Sequence, residues 1–175
     1  MVGTRRKRPT SCDMASKQTR RGKLDLIDRR LLSLLQQDNR MSLDELAEAV
    51  YSSKSAVQRR ICRLRHDGII RNDVAVLEPG LIEPLERFVV CLNVREERGD
   101  LLRTFCENVG ALPSVQQCYL TTGDANCVLV VLLPNGQALR GFIEEHFTDE
   151  PFVRGFQTHL VTKGIKVGLT VPIEQ

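Results

Sequence analysis

Residues 53–66 read SKSAVQRRICRLRH. The stretch carries Lys54, Arg59, Arg60, Arg63 and Arg65 with no acidic residue, while Val57, Ile61 and Leu64 recur at helical spacing. That pattern predicts a helix that docks an apolar stripe on a small core and turns a cationic face to solvent. The residues before it, Met41 to Tyr51, predict a shorter helix. Ser42 at the N-cap with Glu45 three residues on forms a capping box, which ties up two otherwise unpaired backbone donors. Leu43, Leu46, Ala47 and Val50 then fall on one buried stripe. A short capped helix, a tight turn and a basic helix are the layout of a helix-turn-helix DNA reader. A basic surface helix of an ordinary bundle is the plainer reading. It is disfavoured because cap, turn and charge asymmetry agree with one another.

Working outward, Leu24 to Gln37 predicts a first helix, with Asp25 as its cap, Asp28 at the positive end of its dipole, and Leu24, Ile27, Leu31, Leu34 and Leu35 on one face. Gly68 ends the basic helix as a left-handed cap. Ile69 to Leu77 predicts two short strands turning at Asn72-Asp73, a wing. Residues 24–77 therefore form one DNA-binding domain, and residues 78–87, with Pro79, Gly80 and Pro84, a linker. Residues 1–23 hold eight basic side chains against Asp13 alone and almost no large apolar ones, which reads as a disordered basic arm. Because the whole chain carries only +3, the remainder is net acidic.

Residues 88–175 follow a different order. Phe88 to Val94 is a strand and Gly99 to Val109 a helix. Val115 to Thr121 and Cys127 to Leu133 are strands joined by Thr122-Gly123-Asp124, Gln137 to Phe147 is a helix, and Val153 to Val171 is extended. This is the ferredoxin-like βαββαβ order, so the fold class is α+β, a winged helix-turn-helix followed by a ferredoxin-like domain. Residues 127–133, CVLVVLL, are apolar on both faces, yet two helices cover only one face of such a sheet. A second copy of the chain is the economical cover for the other, so a dimer is expected.

No apolar run reaches the length of a membrane span and there is no secretory h-region, so a cytoplasmic protein is expected. The six cysteines are scattered without a C-x-x-C pair, which argues against a zinc site or a disulfide framework. His66, His146 and His159 lack ligand spacing. No metal, cofactor or catalytic residue is expected. A thiol switch between Cys118 and Cys127 across the hairpin is weighed against buried reduced thiols, and the latter is favoured.

With these elements in place the chain resembles the leucine-responsive/asparagine-regulator (Lrp/AsnC) transcription factors over residues 24–171. The resemblance is carried by Leu24-Asp25-x-x-Asp28, Leu31-Leu32-x-x-Leu35-Gln36-x-Asp38-Asn39-Arg40 and Met41-Ser42-x-x-Glu45-Leu46-Ala47. It continues through Ser53-x-Ser55-x-Val57-x-x-Arg60-Ile61-x-x-Leu64-x-x-x-Gly68-Ile69-Ile70 and Val115-x-x-Cys118-Tyr119-x-Thr121-Thr122-Gly123-Asp124. It implies double-stranded DNA as a partner, dimers that assemble further, often to octamers, and control by an amino acid or related metabolite. Three positions depart from the family pattern. Tyr51 stands where members have Gly in the helix turn, Ala125-Asn126 replaces an aromatic-acid pair after Gly-Asp, and Lys54 and Ala56 stand where relatives often have prolines.

On a helical wheel Ser55, Arg59, Cys62 and His66 lie opposite Val57, with Gln58 and Arg63 on the flanks. Arg59 suits guanine O6/N7 and Gln58 adenine N6/N7, while Ser53, Lys54 and Arg63 suit phosphates. Arg60 falls inward and reads as structural, paired with an acid of the first two helices. In the Gly-Asp loop, free backbone N–H groups and the Asp124 carboxylate can hold an amino acid, with Thr122 and Asn126 beside them. The resemblance adds Thr158. The function expected is a sequence-specific transcriptional regulator responding to a small metabolite. Two alternatives are a sirohaem decarboxylase-like enzyme, disfavoured by the cationic helix and the lone His159, and a ligand-binding partner protein without DNA contact, for which Tyr51 is the argument.

Overall fold

The computed structural model describes residues 24–95 and 99–174, so the basic arm expected over residues 1–23 lies outside the described residues. The chain divides into two compact units. One holds the N-terminal helices through Val76 together with the tail from Val167; the other spans Leu77–Lys166.

In the first unit, α1 (Leu26–Gln37), α2 (Leu43–Ala49) and α3 (Lys54–His66) start on caps written into the sequence. Asp25 accepts from the Asp28 backbone at 2.8 Å and Asp28 reciprocates at 3.2 Å, an all-aspartate version of the box that Ser42 and Glu45 form on α2. Ser53 caps α3 by accepting from Ala56. Two helices end in the same left-handed motif. The Tyr51 N–H bonds Glu48 and the Ser52 N–H bonds Ala47 after α2, as Gly68 and Ile69 bond Arg65 and Leu64 after α3. Leu31, Leu46, Val50, Val57 and Ile61 meet in the core that the three helices share.

The expected wing strands are not formed. The N–H groups of Ile69 and Ile70 both go to the Leu64 carbonyl at the end of α3, and residues 71–78 carry no ladder. A two-stranded ribbon on its own is marginal, and Val74, Val76 and Leu77 lie exposed. The tail contributes instead. The Gln36 side-chain amide donates to the Val171 carbonyl (3.2 Å) and accepts from the Val171 N–H (2.6 Å), while Arg29 donates to the Glu174 carbonyl.

The second unit opens with a 3-10 turn at Pro79–Leu81, inside the expected linker, and continues as β1 (Glu86–Val94), α4 (Gly99–Gly110), β2 (Val115–Leu120), β3 (Cys127–Leu133), α5 (Gly136–His146) and β4 (Val153–Leu160). The sheet order is β2-β3-β1-β4, antiparallel throughout. Phe88, Val90 and Leu92 of β1 and Cys127, Leu129 and Val131 of β3 point under the helices and are buried with Phe105, Phe142 and Phe147. Val89, Cys91, Val128, Val130 and Leu132 alternate onto the opposite face and stay partly exposed. The last strand is shorter than its alternating sequence predicts. It ends at Leu160 because β1 begins at Glu86; the Val161 N–H takes the Arg87 carbonyl and little of β1 is left to pair beyond it. Ile165, Val167, Leu169 and Val171 are exposed.

Candidate nucleic-acid interface and effector cleft

The turn between α2 and α3 is where a DNA-reading pair of helices is fixed. Tyr51 has φ 51°, the left-handed conformation glycine favours, and its side chain is 93% exposed. The turn thus keeps the geometry glycine favours, with no packing of the ring to offset the strain, at a local cost of about 1–2 kcal/mol. Tyr51→Gly should relieve it, less the roughly 0.5–1 kcal/mol of extra unfolded-state entropy. Thermal melts should rise by a few degrees, and a lower Tm would show that the ring contributes more than it strains.

α3 separates its cations by face. Arg60, 25% exposed in its side chain, bridges Asp25 (2.6 Å) and Asp28 (2.8 Å) of the α1 start, so its expected structural role is what the geometry shows. Asp28 is 1% exposed and is the buried charged residue of this unit. The Asp25 carboxyl is held below the usual carboxylate range, first by the Asp28 N–H and then by Arg60. Arg63 is not the free phosphate ligand expected of it. Its guanidinium also reaches Asp28, because that buried carboxylate has two oxygens to satisfy and Arg60 takes one. Lys54 pairs with Asp44 at 2.7 Å, but both are well exposed, and such pairs exchange readily with solvent or phosphate. Ser53 is occupied by capping and lies 3.3 Å from the Ser55 hydroxyl. Ser55, Gln58, Arg59 and Cys62 are exposed.

In the second unit, the loop from Thr122 to Asn126 is stapled at its base. Thr121 donates its hydroxyl to the Ala125 carbonyl (2.6 Å), and Asn126 receives the Val94 N–H on its side chain (2.9 Å) while its own N–H goes to Leu92. Asn126 thus holds the loop against the end of β1. Gly123, at φ 109°, makes the turn. Gly123, Asp124 and Asn126 line an open, polar cleft of about 540 Å³ with Asn93, Arg154 and Gln157. Spacing alone could not reveal the last three, since they arrive through the β1–β4 register. Thr122 is outside this lining. Thr158 pairs with Val90 and lines a separate cleft of about 350 Å³ beside α5, so within one chain the structure does not bring it to the loop.

The cysteines are less scattered in space than in sequence. Cys106 of α4, Cys118 of β2 and Cys127 of β3 place their sulfurs within 4.8 Å of one another, which corrects the expectation drawn from spacing that no metal-type cluster exists. Three separate elements supply them, so no short motif marks the group.

Among the described residues no helix is long and apolar enough to cross a membrane. Residues 24–65 match the AsnC-type helix-turn-helix domain and residues 87–170 the Lrp/AsnC ligand-binding domain. An HTH-type transcriptional regulator of Sinorhizobium fredii is 32% identical over 151 residues, covering 86% of this chain and 89% of that protein. The leucine-responsive regulatory protein of Escherichia coli is 30% identical over 154 residues, covering 87% and 94%. Among solved structures, a transcriptional regulator of Neisseria meningitidis in complex with L-Met superposes with a TM-score of 0.76 at 28% identity, covering 85% of this chain and 96% of that one. An AsnC family transcriptional regulator from Agrobacterium tumefaciens gives the same values. With both domains matched in order and relatives of this similarity spanning nearly their full length, the chain belongs to the Lrp/AsnC family of transcriptional regulators.

Proposed function

We propose that this protein is a dimeric, sequence-specific DNA-binding regulator that reads bases with α3 and answers to an amino acid or related metabolite held at the Gly123-Asp124 loop. One observation carries the DNA reading: Gln58, Arg59 and Cys62 stand exposed on one face of α3, while Arg60 is turned away onto two aspartates. Arg59→Ala should lose ~1–3 kcal/mol at the operator and relax discrimination at one base position. Lys54→Ala should weaken all sequences alike and flatten the salt slope by ~1. Equal, sequence-independent losses, measured by binding to matched and single-substituted operators, would remove the base-reading role of Arg59.

For the effector, Asp124 and Arg154 on one cleft suit the ammonium and carboxylate of a zwitterion. Among the described residues neither is engaged in an ion pair. The L-Met complex of the Neisseria relative favours the same ligand class. Leucine itself is expected to be weak, because Ala125-Asn126 replaces the family's ring and charge. A thermal-shift series of amino acids and their keto-acids tests the assignment. Asp124→Ala should abolish the amino-acid response, whereas a keto-acid, lacking the ammonium, should depend on Arg154 and be indifferent to Asp124. If Asp124→Ala and Arg154→Ala both respond as the parent does, the loop is a hairpin turn and nothing more. The dimer is supported by the unclad sheet face of Val89, Cys91, Val128, Val130 and Leu132.

A further inference from the structure

We infer that Cys106, Cys118 and Cys127 form a three-thiolate site for a trivalent thiophilic element of the arsenic(III) class. Cys106 and Cys127 lie in the core of the second unit at 7% and 0% exposure, and Cys118 is half-buried at its edge. The Cys106–Cys127 sulfurs are 3.0 Å apart and the Cys118–Cys127 sulfurs 3.9 Å. Sulfurs bonded at about 2.3 Å to a common atom lie about 4 Å apart in a planar arrangement and closer in a pyramidal one. The triangle is therefore near the size such a centre needs. Its closure depends on a close approach at the end of α4, where a Cβ on Gly110 would stand 3.3 Å from the Cys118 Cβ.

Charge selects the occupant. The sulfurs bond one another and the Cys106 carbonyl, and among the described residues no cationic side chain is a partner. Three thiolates around a monovalent ion leave two negative charges in this apolar setting, and around a divalent ion one; each is costly to bury without a partner. Around a trivalent centre the product is neutral. Structural zinc wants a fourth ligand, and among the described residues no fourth His, Cys, Asp or Glu joins the group. Arsenite exchanges its three hydroxides for three sulfurs. Each As–O bond that breaks carries off one thiol proton as water, three As–S bonds form, and arsenic stays at +3, so no oxidant or reductant is consumed. Entry is through Cys118. Its sulfur stands at the half-exposed corner of the triangle, whereas Cys106 and Cys127 are buried, so it is the thiol that arsenite meets first.

The site does not depend on the DNA-binding reading and is tested apart from it. The full-length protein, reduced anaerobically and freed of reductant, is titrated with arsenite and its bound arsenic is studied by X-ray absorption. One arsenic per chain with three As–S bonds is expected. Cys118→Ser, at the half-exposed corner, should retain the fold by circular dichroism and bind arsenite about tenfold or more weakly, as one arm of a chelate is lost. Cys62→Ser and Cys91→Ser should change nothing. Arsenic bound through fewer than three sulfurs, equal losses in the control variants, or no binding by the reduced parent overturns the site. Copper(I) or zinc(II) held by the same three sulfurs in preference to arsenite overturns the trivalent assignment.

Discussion

Val131→Lys should leave the second unit unfolded, whereas Val130→Lys should leave it folded and monomeric. The two residues are neighbours on β3, but Val131 is 0% exposed beneath the helices and Val130 alternates to the open face. A lysine at 131 must either bury an ammonium without a partner or give up its charge, at a cost of several kcal/mol. A domain whose whole stability is about 5–15 kcal/mol has little room for that. At 130 the ammonium reaches water in a single chain and meets resistance only from the proposed second copy, whose two-fold axis would bring its twin close. Sedimentation with circular dichroism separates the cases. A folded dimer from Val130→Lys would mean that another surface makes the dimer.

Asp28→Ala should destabilise the first unit by about 3 kcal/mol, a loss typical of breaking a buried ion pair. The carboxylate is 1% exposed and ties Arg60 and Arg63 of α3 to the start of α1. Removing it leaves Arg60, itself mostly covered, facing Asp25 alone. Arg63 is half-exposed, so its share is discounted for solvent screening. In denaturant melts, Arg60→Ala on top of Asp28→Ala should cost much less than Arg60→Ala alone; strict additivity would show that the pair does not act as a unit. Operator affinity should fall with stability, because the same carboxylate ties α3 to the start of α1.

The helical part was legible because its signals are local. Ser42, Glu45, Gly68 and the 3.6-residue stripes each act within one or two turns, and all appear in the structure. Arg60 could be placed inward by angle alone, but Arg63 could not be tied to Asp28, since a flank position on a wheel does not say how far an acid 35 residues earlier will reach. The wing failed because the Ile69 and Ile70 N–H groups go to Leu64 and a lone two-stranded ribbon is marginal, whereas the long last strand failed for want of a partner. Alternating apolar residues show that a segment can pair, not that a partner strand is there to pair with. The candidate effector cleft was half legible: Gly123 and Asp124 announce a turn, whereas Arg154 and Gln157 depend on pairing across β1. Cysteine spacing was misleading because the cluster is assembled by packing rather than by a motif.

The clasp between Gln36 and Val171 spans 135 positions of chain. At a synthesis rate of about 5–20 residues per second, the side chain of Gln36 waits on the order of ten seconds before its partner is made. Helices form within microseconds, so α1 to α3 come together long before their last strap exists. The two hydrogen bonds involved are exposed to water and are worth about 1 kcal/mol each. The three helices are thus assembled early and fastened only after the chain has grown by a further 135 positions beyond Gln36. A nascent chain stalled in the second unit carries a reading head that is folded but not yet strapped.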